Sequence, residues 1–152
     1  MTKRSTTHAT FVIEREYSHP PAKVFAAFAD AKQKIKWFGG PDNWDKSNYQ
    51  LDFRVGGKES ISGGPQGGTV HAYDATIWDI VENERIVLAY DLLLDSVRIS
   101  VSLATTEIKP SGNGTRLIYT EQGVYLDGYD DAGQREEGTQ QLFNQLEAFL
   151  NT

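Results

Sequence analysis

Side chains able to do chemistry are few in this chain, and they are scattered. His71 and the acids Asp52, Asp74 and Glu121 fall in stretches that alternate like strands. They can act as general acids or bases only if they face a common cavity. Alternation puts Asp52 and Arg54 opposite Leu51 and Phe53, toward solvent or toward each other. Glu121 shares the side of Leu117 and Tyr119, so it is the acid expected to point inward. It reads there as a buried structural carboxylate or as a proton-transfer group beside Tyr119. Arg135 lies near the start of the last helical pattern, where it can meet a ligand anion or pair with a loop Asp. Chain order alone assigns no Ser-His-Asp set, and no residue is assigned as catalytic.

Metal and phosphate chemistry find little support. His8, His19 and His71 lack zinc-site spacing, and the chain has no Cys. Asp127, Asp130 and Asp131 miss the register of a calcium loop. Acids ahead of a helix, with Glu136 and Glu137 in its first turn, suit capping and the helix dipole instead. The glycines from Gly56 to Gly68 match neither phosphate-loop spacing nor a following helix, so they read as hairpin turns. Neither a cofactor nor a metal is expected.

The elements that must position these groups follow from hydrophobic period. Phe11, Ile13 and Tyr17 alternate with polar neighbours in a strand over Thr10 to Tyr17. Ser18 suits an N-cap, and Pro20 and Pro21 suit a first helical turn, where amide protons lack partners anyway. Val24, Phe28, Ala31 and Ile35 make one helical stripe from Pro20 to Ile35, in one helix or two. Roughly six strands follow between Tyr49 and Gln122: Tyr49 to Val55, Lys58 to Ser62, Thr69 to Val81, Arg85 to Leu94, Arg98 to Lys109 and Thr115 to Gln122. Short turns between them imply an antiparallel meander, with Asn113-Gly114 as a hairpin signal. Leu142, Leu146 and Phe149 form the stripe of a closing helix, Gly133 to Leu150, and Gly138 and Arg135 continue it backwards.

A lone curved sheet cannot bury its apolar face, so the last helix must lie across it. The expected fold is α+β: a curved antiparallel sheet of six to seven strands gripping a long C-terminal helix, with one or two short helices after strand 1. Residues 1–152 read as one domain. A helix held in this way leaves room for a cavity. Its expected lining is Trp37, Phe38, Phe53, Trp78, Tyr90, Tyr119, Glu121, Arg135, Gly138, Leu142 and Phe143. Tyr and Trp join apolar bulk to one hydrogen-bond donor, which suits both cores and ligand walls. A helical Gly costs about 1 kcal/mol against Ala, so Gly138 implies close packing or space kept open.

The totals narrow the partners. With 15 basic and 21 acidic residues the formal charge is −6, which disfavours nucleic acid and anionic membranes. No apolar run reaches the roughly 20 residues of a membrane span, and residues 1–8 carry no apolar segment like that of a signal peptide. A cytoplasmic location is expected.

The local wording also resembles a known family. The carrying segments are Phe11-x-Ile-Glu-Arg-x-Tyr17, Pro20-Pro-Ala-x-Val-Phe-Ala-Ala-Phe-Ala-Asp30 and Lys36-Trp-Phe38. They continue with Leu51-Asp-Phe-Arg-Val-Gly-Gly57, Ile80-Val-x-x-Glu-Arg-Ile86, Gly114-Thr-Arg-Leu-x-Tyr-Thr-Glu121 and Glu136-Glu-Gly-Thr139. Together they resemble the START-like, or SRPBCC, superfamily. The nearest look is to the branch of the activator of heat-shock-protein-90 ATPase and the calicheamicin-resistance protein. The resemblance implies a helix-grip fold with a hydrophobic cavity between sheet and C-terminal helix. The expected function is therefore non-catalytic binding of a small hydrophobic or aromatic molecule. Two alternatives stay open: a chaperone-activator-like interaction module, and a cyclase-like enzyme on a polyketide-type substrate. A homodimer is compatible with either. The chaperone activator's N-terminal chaperone-binding domain has no counterpart here, which argues against a chaperone partner.

Overall fold

The computed structural model describes residues 3–152. Met1 and Thr2, part of the tail read above as lacking an apolar segment, lie outside the described residues. Ten elements follow in order: β1 Thr6–Tyr17, α1 Pro21–Ala29, α2 Ala31–Lys34, β2 Gln50–Leu51, β3 Lys58–Gly63, β4 His71–Val81, β5 Arg85–Leu94, β6 Val97–Ser111, β7 Gly114–Leu126 and α3 Ala132–Leu150. The strands form one antiparallel sheet in the order β1-β7-β6-β5-β4-β3-β2. This is the expected helix-grip arrangement. None of the described helices is long and apolar enough to cross a membrane.

Of the one or two helices expected after β1, two are present, and two other local expectations are corrected. The helical stretch after β1 breaks at Asp30, whose extended backbone ends α1 while its carboxylate caps α2 through the Lys32 amide. Pro20, not Ser18, holds the N-cap position of α1, and no side chain caps it. The strand expected over Tyr49 to Val55 shrinks to Gln50–Leu51. The chain turns back at once: the Gly57 amide bonds the Arg54 carbonyl, and a Cβ on Gly57 would lie 1.9 Å from the Asp52 carbonyl oxygen. Only Gly fits so close a backbone approach. Arg54 and Asp52 pair on the surface at 2.8 Å.

Between β6 and β7 the hairpin is present at Gly112 and Asn113, with the positive φ carried by Gly112. A second two-residue turn joins β5 to β6. There Asp95 and Ser96 both have positive φ, and the Asp95 carboxylate accepts from the Val70 amide at 2.8 Å.

The core lies between α1, α3 and the β1, β6 and β7 side of the sheet. It contains Phe11, Ile13, Val24, Phe28, Ile108, Leu117, Leu146 and Leu150. On α3 the buried stripe is Arg135, Thr139, Phe143, Leu146 and Leu150. Compared with the expected stripe it is turned slightly, which leaves Gly138 and Leu142 at its side. Packing is thus dense at one end of the sheet and open at the other.

This contrast is measurable. Leu146→Ala should cost about 2–5 kcal/mol, since it empties a filled site. Leu92→Ala should cost clearly less, because Leu92 already borders open space. Urea denaturation of the two variants checks the order.

Candidate functional site

A cavity of about 510 Å³ lies between α3 and the concave face of the sheet, walled also by α1, α2 and the segment after them. Its floor is built from small side chains. Ala72 on β4 and the buried Ala104 on β6 border it, either side of β5, and tall aromatic residues stand around them. Phe28, Trp37, Phe38, Phe53, Tyr73, Tyr90, Tyr119 and Phe143 supply most of the wall. Tyr73 and Tyr90 meet at 5.0 Å between ring centres, and Tyr119 meets Phe143 edge-on at 5.2 Å. The exposed lining residues His71, Gln134 and Gly138 mark the mouth, where Trp44 packs on His71 at 5.0 Å.

Two buried ionic clusters flank the cavity. On the first side, Lys34 Nζ donates to Glu59 at 2.8 Å. Glu59 also accepts from Tyr49 at 2.5 Å and Tyr73 at 2.9 Å. The Lys34 ammonium sits 4.4 Å over the Phe38 ring. On the second side, Glu121 accepts from Tyr90 at 2.9 Å and from Tyr119 at 2.5 Å. Arg135 donates to Glu121 at 3.4 Å, to the Tyr90 oxygen at 3.0 Å, to Ser100 at 2.7 Å and to Asp130 at 2.7 Å. Glu59 and Glu121 are each 1% exposed, so these bonds stand in for the water each carboxylate lost.

Burial pushes the tyrosine pKa values up, because a phenolate there would be desolvated and would face a carboxylate. Tyr73 and Tyr119 rise well above 10, and Tyr49 and Tyr90 rise by the same causes. Tyr125, beside Arg135, is pushed up to about 12, chiefly by burial. Burial works against the Arg135 charge, but Tyr90, Glu121 and Asp130 outweigh it and the pKa rises. Tyr49, Tyr73, Tyr90 and Tyr119 are therefore proton donors to the carboxylates across the physiological range.

Of the expected lining residues, Trp37, Phe38, Phe53, Tyr90, Tyr119, Arg135, Gly138, Leu142 and Phe143 do border the cavity. Glu121 lies just behind the wall, hydrogen-bonded to Tyr90 and Tyr119. Trp78 is misplaced by the sequence reading. Alternation with Tyr73, Ala75 and Ile77 puts Trp78 on the outer face, where it is 62% exposed, and the β4–β5 register shift between Ile77 and Asp79 then turns Ile80 inward. Lys34 and Glu59 were missed. Glu59 had a signal, since it shares the strand face of Ile61; Lys34 had none, since a lysine at a helix end reads as solvated. Among the described residues, no three His, Asp or Glu side chains gather as metal ligands would.

With this geometry in place, the comparison with known proteins is informative. The model of the family described as Activator of Hsp90 ATPase homolog 1-like protein matches residues 18–151. The chain belongs to this family. It is of the START-like, SRPBCC type expected from the motifs. A structure of an uncharacterised protein from Rhizobium leguminosarum is 45% identical, with a TM-score of 0.94 over 99% of both chains. Protein Mll3558 from Rhizobium loti is 44% identical, with a TM-score of 0.89 over 95% of this chain and 99% of its own. Protein CV1439 from Chromobacterium violaceum is 26% identical, with a TM-score of 0.79 over 94% and 97%. No curated protein matches the chain.

Among the described residues one buried side-chain polar atom stands apart: the Tyr125 hydroxyl has no hydrogen-bond partner there. Tyr125→Phe should therefore leave stability unchanged or raise it by about 1 kcal/mol. Arg135→Met should cost about 3–5 kcal/mol, because it strands Glu121 without its cation. Thermal and urea unfolding at pH 7 check both.

The raised phenol values also set an alkaline limit. A folded-state pKa above the unfolded value of about 10 gives stability that is complete below pH 10. That stability is lost as pH climbs through the folded values. Phenolate absorbance should therefore lag far behind that of the urea-unfolded chain at pH 11, then rise together with unfolding.

Proposed function

We propose that the protein binds a small hydrophobic or aromatic molecule in the cavity between the sheet and α3, without transforming it. Residues 1–152 act as one ligand-binding domain in this reading. The observation that carries it is the cavity itself. Its volume of about 510 Å³ falls within the roughly 300–1,000 Å³ of small-molecule sites, and its wall is aromatic with a few converging polar groups.

Catalysis has weaker support. A general base needs a free lone pair aimed at the substrate. Glu59 and Glu121 each accept from two tyrosines and a cation already. A second reading, docking of a protein partner, has one observation in its favour: Trp78, large and apolar, is exposed on the molecule's surface. The family's description makes Hsp90 the partner to test. Stimulation of Hsp90 ATPase that is lost in Trp78→Ala would favour docking; no stimulation would count against it.

The binding reading is tested at Gly138. A Cβ there meets nothing within 4 Å, so a larger side chain enters open space at the mouth. Gly138→Phe should fold, melt higher than the parent and bind apolar probes at least tenfold more weakly, a loss of about 1.4 kcal/mol or more. For the parent, a ligand at 100 times its Kd should add roughly 2.7 kcal/mol of stability. Unchanged probe affinity in Gly138→Phe, measured by titration calorimetry, would sink the proposed site.

A further inference from the structure

The cavity's hydrogen bonds restrict what kind of molecule it can take. Consider where each polar hydrogen goes. The Tyr73 hydroxyl gives its proton to Glu59, and Tyr119 gives its own to Glu121. A phenol has one proton and two lone pairs. With the proton spent on a carboxylate, what Tyr73 and Tyr119 still offer the cavity is lone pairs. The Tyr90 proton is spent in the same way, and its oxygen also accepts from Arg135. Thr139 gives its proton to the Arg135 carbonyl. The phenol oxygens of the buried wall are thus left as acceptors.

The cations do not reverse this. In charge Lys34 is matched by Glu59, with the rest of its ammonium held over the Phe28, Trp37 and Phe38 rings, and Arg135 is matched by Glu121 and Asp130. Three carboxylates stand against two cations around the cavity. A carboxylate ligand would have to displace an acid already paired in a dry environment, or sit unpaired beside it, and both are costly. A ligand that brings donors meets waiting lone pairs and disturbs nothing.

We propose that the ligand is an uncharged ring compound whose polar edge donates hydrogen bonds, received by Tyr73 and Tyr119, and that carboxylates of the same skeleton are refused. This rests on the binding reading above and names the ligand class of that site. Tyr73 and Tyr119 are its specificity-determining residues.

The test uses three probes with one skeleton: 2-naphthol, 2-methoxynaphthalene and 2-naphthoate, titrated calorimetrically into the full chain at pH 7. The naphthol should bind about threefold to tenfold more tightly than the methoxy compound, the span of one net hydrogen bond. The naphthoate should bind weakest. In Tyr73→Phe or in Tyr119→Phe, the gap between naphthol and methoxy compound should close. Equal binding of naphthol and methoxy compound, tighter binding of the naphthoate, or a gap intact in both variants would overturn the inference and leave cavity binding standing. Silence from all three probes would overturn the binding reading, and this inference with it.

Discussion

A carboxylate cannot be buried alone, and this protein buries two against the inner face of one sheet. Taking one ion out of water costs several kcal/mol even after relaxation, so each must find its partners in the fold. Glu59 on β3 finds Lys34 at the end of α2, and Glu121 on β7 finds Arg135 near the start of α3. Each pair therefore ties a helix to the sheet at a fixed place. The tyrosines complete the shells of both acids, and Tyr73 and Tyr90, one from each shell, lie ring against ring. The two clusters are in this sense one structure, a polar frame around a hollow.

That frame explains how the hollow survives. An apolar wall with nothing opposite it loses dispersion contacts, and a well-packed core would close over it. Here α3 cannot settle further onto β4 and β5 without compressing Arg135 against Tyr90 and Ser100. The short α2 is likewise held off by Lys34 and its aromatic neighbours. Ala72 and Ala104 then supply only a methyl group each, and Gly138 no side chain, to fill the gap. Stability is concentrated at the other end, where Leu117, Leu146 and Leu150 interlock with Phe11 and Ile13. Rigid packing on one side supports open space on the other.

Much of this was legible in the sequence, and the limits are physical. Period alone places β1, the meander from β3 to β7 and α3, because each keeps one apolar face over many residues. Glu121 is readable as inward from its alternation with Leu117 and Tyr119. Alternation fails where the backbone inserts a residue. The bulge at Trp78 shifts the inner face of β4 from Ile77 to Ile80, and no composition signal marks it. It also fails at β2, where Gly57 folds the chain back after two paired residues although the polar–apolar rhythm runs on. Lys34 shows a third limit. A lysine near a helix end is usually solvated, and only the position of Glu59 across space makes it a core residue. Long-range charge pairing leaves no local trace around Lys34, although Glu59 shows its inward side by sharing a strand face with Ile61.

The same pairing separates what the family gives from what this chain adds. Membership brings the sheet, the gripped helix and the space between them; fold by itself assigns no ligand. Selectivity must come from side chains that meet that space, and here their polar hydrogens are mostly spent on one another. An unpaired buried polar atom would pull strongly on any ligand that could satisfy it. The satisfied network of Glu59, Glu121 and their tyrosines leaves a softer preference, set by leftover lone pairs and by aromatic faces. In the proposed binding role, shape and apolar contact carry most of the affinity, and hydrogen bonding sorts among molecules that already fit. A wall of this kind suits a protein that must hold a molecule and release it unchanged.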